Sequence, residues 1–227
     1  MLAKRILVTN DDGIEAEGLK ALERSLESLG EVVVVAPEHE MSATSQSLSL
    51  HSPLRVRAID ERHYAVAGTP ADAVILALHR LLATRPDLVV SGVNPGGNLG
   101  ENIVYSGTVA AAMEAALHGV PAFAISLASR KDLDFSAAAS FAFHLAAKVL
   151  AEGLPAGVVL NVNVPRGEVR GVRFTRQSRG HVGLVGPARG FRQEGTKLAD
   201  HHLVARADTK ARVPVLYKPL GFSAHLR

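Results

Sequence analysis

Short apolar runs alternate with helical segments over residues 1–165, and this alternation most constrains the fold of the chain. The runs Arg5–Thr9, Val32–Val35 and Leu88–Val90 are typical of strands that are buried on both faces of a parallel sheet. Between the first two runs, Glu15–Leu29 carries apolar residues at helical spacing, and Gly30 ends it. Strand–helix alternation of this kind predicts an α/β fold with a doubly wound, mostly parallel, Rossmann-like sheet.

The remaining predicted elements follow the same alternation. Thr69 and Pro70 suit the N-cap and the first position of a helix that runs to about Ala83. The other predicted elements are an antiparallel excursion within Leu48–Ile59, a strand over His63–Ala67, a Gly- and Asn-rich loop over Gly92–Tyr105, an Ala-rich helix from Ser106 to His118, a strand over Pro121–Leu127, a helix over Phe135–Glu152 and a strand over Val158–Val164.

The sequence pattern changes after Pro165. From Gly167 onward the chain is basic and Gly-rich, with strand-like pieces at Val172–Phe174 and Val213–Tyr217 and no clear helical periodicity. We therefore predict a core over residues 1–165 and a β-rich C-terminal extension over residues 166–227. Extensions of this kind commonly pack against another subunit, so we expect a homo-oligomer that forms through it.

Composition excludes several classes of site and partner. The 227 residues contain no Cys, which excludes disulfides and thiolate metal sites. Only 4% of residues are aromatic and the net charge is +3 without a basic tract, so we do not expect nucleic-acid binding. RNA binding through the basic tail is the alternative, and it would show as strongly salt-dependent affinity.

The N-terminal sequence predicts the location. It runs into the first strand without a signal-peptide h-region, and no stretch of the chain is apolar for long enough to span a bilayer. We therefore expect a cytoplasmic protein without a membrane partner.

Two adjacent carboxylates follow the first predicted strand, in the sequence Asn10-Asp11-Asp12-Gly13. In open α/β sheets the ligand site lies beyond the carboxyl ends of the strands. Like charges side by side repel unless a cation or water neutralises them, so this turn is a candidate site for a hard divalent metal. The alternative is that one Asp caps the next helix and the other is solvated.

Three predicted loops open at this same edge of the sheet, so their side chains are expected to converge. The loops carry Asn10, Asp11 and Asp12; Ser42, Thr44 and Ser45, within the polar segment Glu38–Ser49; and Ser91, Asn94, Asn98 and Asn102. Carboxylate, hydroxyl and amide oxygens form a donor set that suits Mg²⁺ or Mn²⁺ rather than Zn²⁺ or Cu²⁺.

A candidate phosphate site lies at Tyr105–Ala110, where a loop turns into a helix. The backbone N–H groups and the positive end of the helix dipole favour an anion there, and the hydroxyls of Ser106 and Thr108 can join Gly107 in binding it. Ser106 would cap the helix in either case. The chain has no nucleophile elbow, Walker A sequence or dinucleotide fingerprint after the first strand, so the combination favours a metal-assisted phosphomonoesterase.

Five ordered motifs resemble those of one enzyme family. They are Val8–Gly13; Ala36–Pro37 with Ser42–Thr44; Gly68–Asp72; Ser91–Asn94 continuing through Asn98–Gly100 to Tyr105–Val109; and Asn161–Pro165. In this order and spacing, over residues 4–165, they resemble the SurE family, the survival-protein 5′-nucleotidases.

The resemblance implies hydrolysis of nucleoside 5′-monophosphates with one divalent metal ion per subunit, Mg²⁺ or Mn²⁺. It also implies a dimer or tetramer that uses the C-terminal extension. The implied metal ligands are Asp11, Asp12, Ser42 and Asn94, and the implied phosphate contacts are Ser106, Gly107 and Thr108. We add Asn10 to the phosphate-binding set and take Asp11, Asp12 and Asn94 as the catalytic residues, with Asp11 orienting the attacking water.

The chain departs from the usual family pattern in two places. The chain has Ser45-Gln46 where the family usually carries Gly-His, and its tail is short and divergent. Asp72 is expected to be a structural acid in the first turn of its helix, and we assign no catalytic His. The rival functions are a 3′-nucleotidase or short-chain polyphosphatase at the same site, and a non-catalytic nucleotide sensor.

Overall fold

Nine strands form a single sheet in a computed structural model that describes residues 3–167, 169–176 and 201–205. Their order across the sheet is β3-β4-β2-β1-β5-β6-β7-β9-β8. The strands are β1 (Arg5–Thr9), β2 (Glu31–Pro37), β3 (Val56–Ala58), β4 (His63–Val66), β5 (Leu88–Pro95), β6 (Ala122–Leu127), β7 (Val159–Val164), β8 (Val172–Arg176) and β9 (His201–Ala205). All pairs are parallel except β3 with β4 and β8 with β9.

Within the described ranges, four α-helices flank this sheet. They are α1 (Glu17–Leu26), α2 (Pro70–Leu76), α3 (Gly107–Leu117) and α4 (Ser136–Glu152). Shorter helical turns are 3₁₀ at Glu27–Leu29 and Gly100–Tyr105 and π at Ala77–Leu81.

The core lies on both faces of the central strands. Val8 and Val90 pack with residues of α1 and α4 on one face, whereas Leu7 and Val89 pack with residues of α2 and α3 on the other. Because both faces are covered, Ile6–Thr9 of β1 and Leu88–Val93 of β5 are buried without interruption, which explains the unbroken apolar runs in the sequence.

The predicted fold class is confirmed: the sheet is mostly parallel, doubly wound and flanked by helices. The details differ in three places. The α-helix that begins at Pro70 ends at Leu76 and continues only as the π turn, β5 runs on to Pro95, and a 3₁₀ helix occupies part of the predicted loop. Helical periodicity in a sequence does not distinguish the α, π and 3₁₀ hydrogen-bond patterns, which explains the first difference. The third arises because a single short 3₁₀ helix leaves no periodic pattern in a Gly- and Asn-rich segment.

Strands β8 and β9 continue the sheet beyond β7. The predicted strand at Val213–Tyr217 lies outside the described residues, and the boundary at residue 165 stays a prediction. No helix in the described part of the chain combines the length and the apolar character that crossing a membrane requires.

Candidate functional site

The turn after β1 is closed by its own first residue. The side-chain amide of Asn10 donates to the carbonyl oxygen of Gly13 at 2.9 Å, and its oxygen accepts from the Gly13 N–H at 3.2 Å. Gly13 has φ +100°, and a Cβ there would lie 3.2 Å from the backbone carbon of His39. Asp11 and Asp12 lie within this closed turn. Both polar groups of the Asn10 side chain are used inside the turn, and its phosphate-binding role stays a prediction.

Asp11 lies against the N-terminus of α3. The Thr108 hydroxyl donates to Asp11 Oδ1 at 2.5 Å, and both side chains are buried. A Cβ on Gly107 would lie 2.8 Å from the Asp11 Cβ, 3.0 Å from Asp11 Oδ2 and 3.1 Å from the Pro70 Cγ. Only a residue without a side chain allows this approach, so the residues of the predicted carboxylate site and of the predicted anion site lie next to each other.

Ser106 caps α3, and its oxygen accepts from the Val109 N–H at 3.2 Å. This cap satisfies one of the N–H groups that have no acceptor within the helix. The hydroxyl and the N–H of Thr108 both act on Asp11. In this structure the side chain of Asp11 therefore lies at the positive end of α3, where the helix dipole favours its ionised form.

Both carboxylates have a raised pKa. Burial raises the pKa of Asp11 above its ordinary 3.8, against the hydrogen bonds from Thr108. Burial, the charge of Asp11 and the charge of Glu40 raise the pKa of Asp12 to about 7. Asp12 Oδ2 is buried and has no hydrogen-bond partner within the described residues. Ionisation of the pair is therefore disfavoured by burial and by the shortage of donors, and a bound cation would offset that cost.

Two hydroxyls where β1 pairs with β5 also lack hydrogen-bond partners. Thr9 in β1 and Ser91 in β5 are register partners, and both are fully buried. Neither hydroxyl has a hydrogen-bond partner within the described residues. Unpartnered polar atoms therefore occur where the last residue of β1 pairs with β5, two residues before the carboxylate pair in the sequence.

Sequence reasoning missed two charged residues of the site, Glu40 and Arg130. Glu40 raises the pKa of Asp12, whereas the Arg130 guanidinium lowers it. Arg130 also lies over the loop after β5, where a Cβ on Gly96 would be 3.0 Å from its Nε. No motif marks either residue, because each lies in a loop without periodicity and approaches the site only through the fold.

The loop of residues 38–49, hereafter the lid loop, lies beside Asp11. The Met41 N–H donates to the Asp11 carbonyl oxygen at 2.7 Å. Ser42 is exposed, and its hydroxyl donates to Glu40 Oε1 at 2.7 Å. The structure thus brings this loop to the site, and metal ligation by Ser42 stays a prediction.

Asn94 lies near the end of β5, after an irregularity in its pairing with β6. The register shifts between Ser91 and Asn94, and the peptide bond between Gly92 and Val93 is cis. The Asn94 amide nitrogen donates to the Gly96 carbonyl oxygen at 2.6 Å, so its amide oxygen is the atom left for a ligand.

A buried amide network supports the loop that follows Asn94. The Asn98 N–H donates to Asn163 Oδ1 at 2.8 Å, and the Asn98 side chain donates to the Ser126 hydroxyl at 2.9 Å. Asn161 and Asn163 both donate to the Asn98 carbonyl oxygen, at 2.8 Å and 3.1 Å. The polar ends of β6 and β7 therefore hold this loop rather than face the two carboxylates.

Asp72 is a structural acid, as the sequence predicts. Its side chain accepts from the Thr69 N–H at 2.9 Å, and its own N–H donates to the Thr69 hydroxyl at 3.1 Å. This reciprocal pair is a capping box at the start of α2. Asp72 also accepts hydrogen bonds from Ser49, so it fixes the end of the lid loop.

The oxygens around Asp11 and Asp12 fit a hard divalent cation. No group of three His, Asp or Glu side chains within the described ranges forms a metal-binding cluster. The carboxylate pair would therefore need hydroxyl, amide or water oxygens to complete a shell, a donor set that Mg²⁺ and Mn²⁺ accept.

Comparison with known proteins identifies the family. The model of the SurE family, survival protein SurE, matches residues 6–183. The chain belongs to the SurE family. The 5′-nucleotidase SurE of Syntrophotalea carbinolica is 54% identical over 180 residues, which cover 78% of this chain and 72% of that protein. The 5′-nucleotidase SurE of Anaeromyxobacter sp. (strain Fw109-5) is 57% identical over 176 residues, covering 77% and 69%.

A solved SurE structure has the same fold. The crystal structure of the SurE protein from Aquifex aeolicus superposes with a TM-score of 0.74 at 44% identity, over 77% of this chain and 73% of that one. The SurE family is metal-dependent in general, which agrees with the unpartnered carboxylate oxygen found here.

Proposed function

We propose that this chain, a 5′-nucleotidase of the SurE family, hydrolyses nucleoside 5′-monophosphates at the junction of β1, β5 and α3 with the help of one Mg²⁺ or Mn²⁺ ion. The observation that carries this proposal is the approach of Asp11 to α3, through the Thr108 hydroxyl and the missing side chain of Gly107. It joins a carboxylate pair to the helix terminus that favours anions.

The residues that would hold the metal are Asp11, Asp12, Ser42 and Asn94. Asp12 supports this best, because its buried oxygen has no other partner in the described structure. Burial first, and then the neighbouring charges of Asp11 and Glu40, raise its pKa to about 7, and a bound cation would offset both effects. When bound, the ion would polarise the phosphoryl group and make a bound water more acidic.

The remaining roles fall to the chain's own side chains. Ser106, Gly107 and Thr108 would bind the phosphoryl oxygens at the start of α3, and Thr108 also fixes the position of Asp11. Asp11 would orient a water for in-line attack on phosphorus. The water oxygen forms the new P–O bond, the bond to the 5′ oxygen breaks, and that oxygen takes up a proton to leave as the nucleoside hydroxyl.

Location and assembly belong to the same proposal. We place the enzyme in the cytoplasm and expect a homodimer or homotetramer that assembles through residues 166–227. The expected assembly is supported by β8 and β9, which lie at one edge of the sheet and within residues 166–227. Light scattering after gel filtration would measure the oligomeric state.

A substrate panel tests the proposed activity. Phosphate release is measured from nucleoside 5′-monophosphates, nucleoside 3′-monophosphates and short polyphosphates, each with Mn²⁺, with Mg²⁺ and with EDTA. We expect release from 5′-monophosphates with at least one of the two ions and none with EDTA. Faster release from 3′-monophosphates or polyphosphate would favour those rival reactions. Nucleotide binding in EDTA without any release would favour a sensor.

A further inference from the structure

A hydrogen bond joins the lid loop to a buried carboxylate of α3. The Gln46 side-chain amide donates to Glu114 Oε2 at 2.6 Å. Glu114 is only 6% exposed, although it is a charged residue. Its other oxygen lies 3.2 Å from the Nε2 of His118, one turn further along the chain. A buried carboxylate must be hydrogen-bonded, and hydrogen bonds to charged groups are roughly twice as strong as those between neutral groups.

The lid loop has a conformation that needs such an anchor. Ala43 and Ser45 have φ values of +58° and +54°, in the left-handed region that side chains disfavour. Non-glycine residues keep this conformation only where surrounding contacts impose it. Ser45 immediately precedes Gln46, and its N–H donates to the Tyr105 carbonyl oxygen at 3.1 Å.

Backbone contacts hold both ends of this turn, one to the candidate site and the other to the start of α2. Before the turn, the Met41 N–H donates to the Asp11 carbonyl oxygen. After the turn, the Thr69 hydroxyl donates to the Ser47 carbonyl oxygen at 2.7 Å. These contacts are to backbone atoms of the loop. The Gln46 side chain, by contrast, extends from the lid loop to α3, the helix that begins at the proposed phosphate-binding residues.

We infer that Gln46 is a positioning residue: by donating to Glu114 it holds the strained turn of the lid loop against α3, beside Asp11. The inference rests on the proposed function of this site. It also assigns a role to one of the two positions where the chain departs from its family, because an amide N–H at residue 46 can bind the carboxylate that an imidazole N–H would bind.

Hydrogen exchange and kinetics of Gln46→Ala test this role. We expect amide exchange in peptides covering residues 41–47 to be about tenfold faster, with the central strands unchanged. The concentration of metal at half-maximal activity should rise about tenfold, while kcat at saturating metal changes little, because the positioned loop carries Ser42 but not the carboxylate pair. Ser47→Ala, an exposed neighbour in the same loop, should leave both measurements unchanged.

A polarity swap separates this hydrogen bond from general destabilisation. Gln46→Glu opposes two carboxylates and should loosen the loop more than Gln46→Ala does. Combining it with Glu114→Gln restores an amide–carboxylate pair and should return lid-loop exchange toward the original rate. Gln46→His offers a ring N–H and should also retain slow exchange.

Two results would overturn the inference. One is unchanged exchange of residues 41–47 in Gln46→Ala, and the other is equally faster exchange throughout the sheet, which would make Gln46 a contributor to global stability only. If the unmodified protein releases no phosphate, the proposed function fails, whereas the exchange measurements still decide whether Gln46 holds the lid loop.

Discussion

Asp11 and Asp12 are neighbours in sequence with different surroundings. Asp11 accepts a hydrogen bond from Thr108, whereas Asp12 keeps a buried oxygen without a partner in the described structure. Burial dominates the raised pKa of both residues. The carboxylate of Asp11 is thus fixed in orientation, while that of Asp12 has an oxygen left for a ligand. Two identical residues differ in this way because their surroundings differ.

Gly107→Ala tests the close approach of α3 to Asp11. The new Cβ would lie 2.8 Å from the Asp11 Cβ and 3.0 Å from its Oδ2, so either the helix or the carboxylate must shift. We expect phosphate release to fall at least about tenfold and the free energy of unfolding to fall by about 1–3 kcal/mol. Steady-state kinetics and urea unfolding measure the two effects.

The matched control for that substitution is Gly157→Ala. Gly157 has φ +71°, and a Cβ at this position would have nothing within 4 Å, so only backbone strain should appear. The substitution should lower stability by about 1 kcal/mol and leave activity intact. Full activity in Gly107→Ala would show that the approach of α3 to Asp11 has no role in the reaction.

The site residues were predictable from the sequence to an unequal extent. Asp11, Gly107 and Thr108 belong to strand-end and helix-start motifs, whose position in a parallel sheet is known once the strands are recognised. Arg130 and Glu114 were not predictable, because neither belongs to a motif of this kind. The single signal for Glu114 was a charged residue within the Ala-rich sequence of α3.

At the scale of elements, a histidine between two carboxylates joins α1 to the turn between β3 and β4. His63 Nε2 lies 2.7 Å from Glu23 Oε1, and its Nδ1 lies 2.8 Å from Asp60 Oδ1. Burial lowers the pKa of His63, but Asp60 and Glu23 outweigh burial and raise it above the ordinary 6.5. The ring of His63, which these carboxylates favour in its protonated form, therefore links β4 to a helix that covers the sheet.

His63→Gln should destabilise the protein in a pH-dependent way. Because the folded-state pKa of His63 is raised, its contribution to stability is fully present below pH 6.5 and is lost as the pH rises through the folded value. The difference in unfolding free energy between the two proteins should shrink across that range. Chemical unfolding at several pH values measures it.

His144→Gln is the control for that series, since His144 is exposed on α4 and forms no ion pair in the described structure. Its pH dependence should follow that of the unmodified protein. If the difference in unfolding free energy between His63→Gln and the unmodified protein stays constant from about pH 5 to about pH 9, the protonated ring does not contribute to stability.

Elements buried on both faces were the most predictable from sequence. β1, β2 and β5 appear as unbroken apolar runs, and their parallel pairing follows from the helices between them. The lid loop has no such pattern, and its conformation depends on distant partners: Gln46 and Glu114 are 68 residues apart. Contacts of that kind exist only after the sheet has formed, so local sequence does not encode them.

At the scale of the whole molecule, the site joins segments that are far apart in the chain. Asp11 and Thr108 are separated by 97 residues, and β1 and β5 become neighbours only when the sheet is complete. Each carboxylate is therefore buried by the folding of the entire core, and the free energy of unfolding includes the cost of burying them.

Thermal unfolding of the metal-free protein at several pH values should show the free-energy cost of burying these carboxylates. Asp12 has a pKa of about 7 when folded and 3.8 ordinarily, so the folded protein retains a proton that the unfolded chain loses. Stability should consequently fall as the pH rises between these values. Above pH 7, Mn²⁺ should raise the Tm, since metal at about 100 times its Kd stabilises by about 2.7 kcal/mol.

Asp12→Asn provides the comparison for that experiment. It removes the titrating carboxyl and one proposed ligand, so both the fall in Tm with pH and the rise with Mn²⁺ should diminish. If neither Mn²⁺ nor Mg²⁺ changes the Tm of the unmodified protein, no metal binds at Asp11 and Asp12.

The most direct test of the account compares phosphate release by the unmodified protein and by Asp11→Asn, at saturating Mn²⁺ and with a nucleoside 5′-monophosphate that the unmodified protein hydrolyses. Asparagine keeps the size of the side chain and removes its charge, so circular dichroism should show an intact fold. We expect kcat to fall at least about 100-fold. A folded Asp11→Asn variant with kcat close to that of the unmodified protein would contradict the assignment of the reaction to the end of β1.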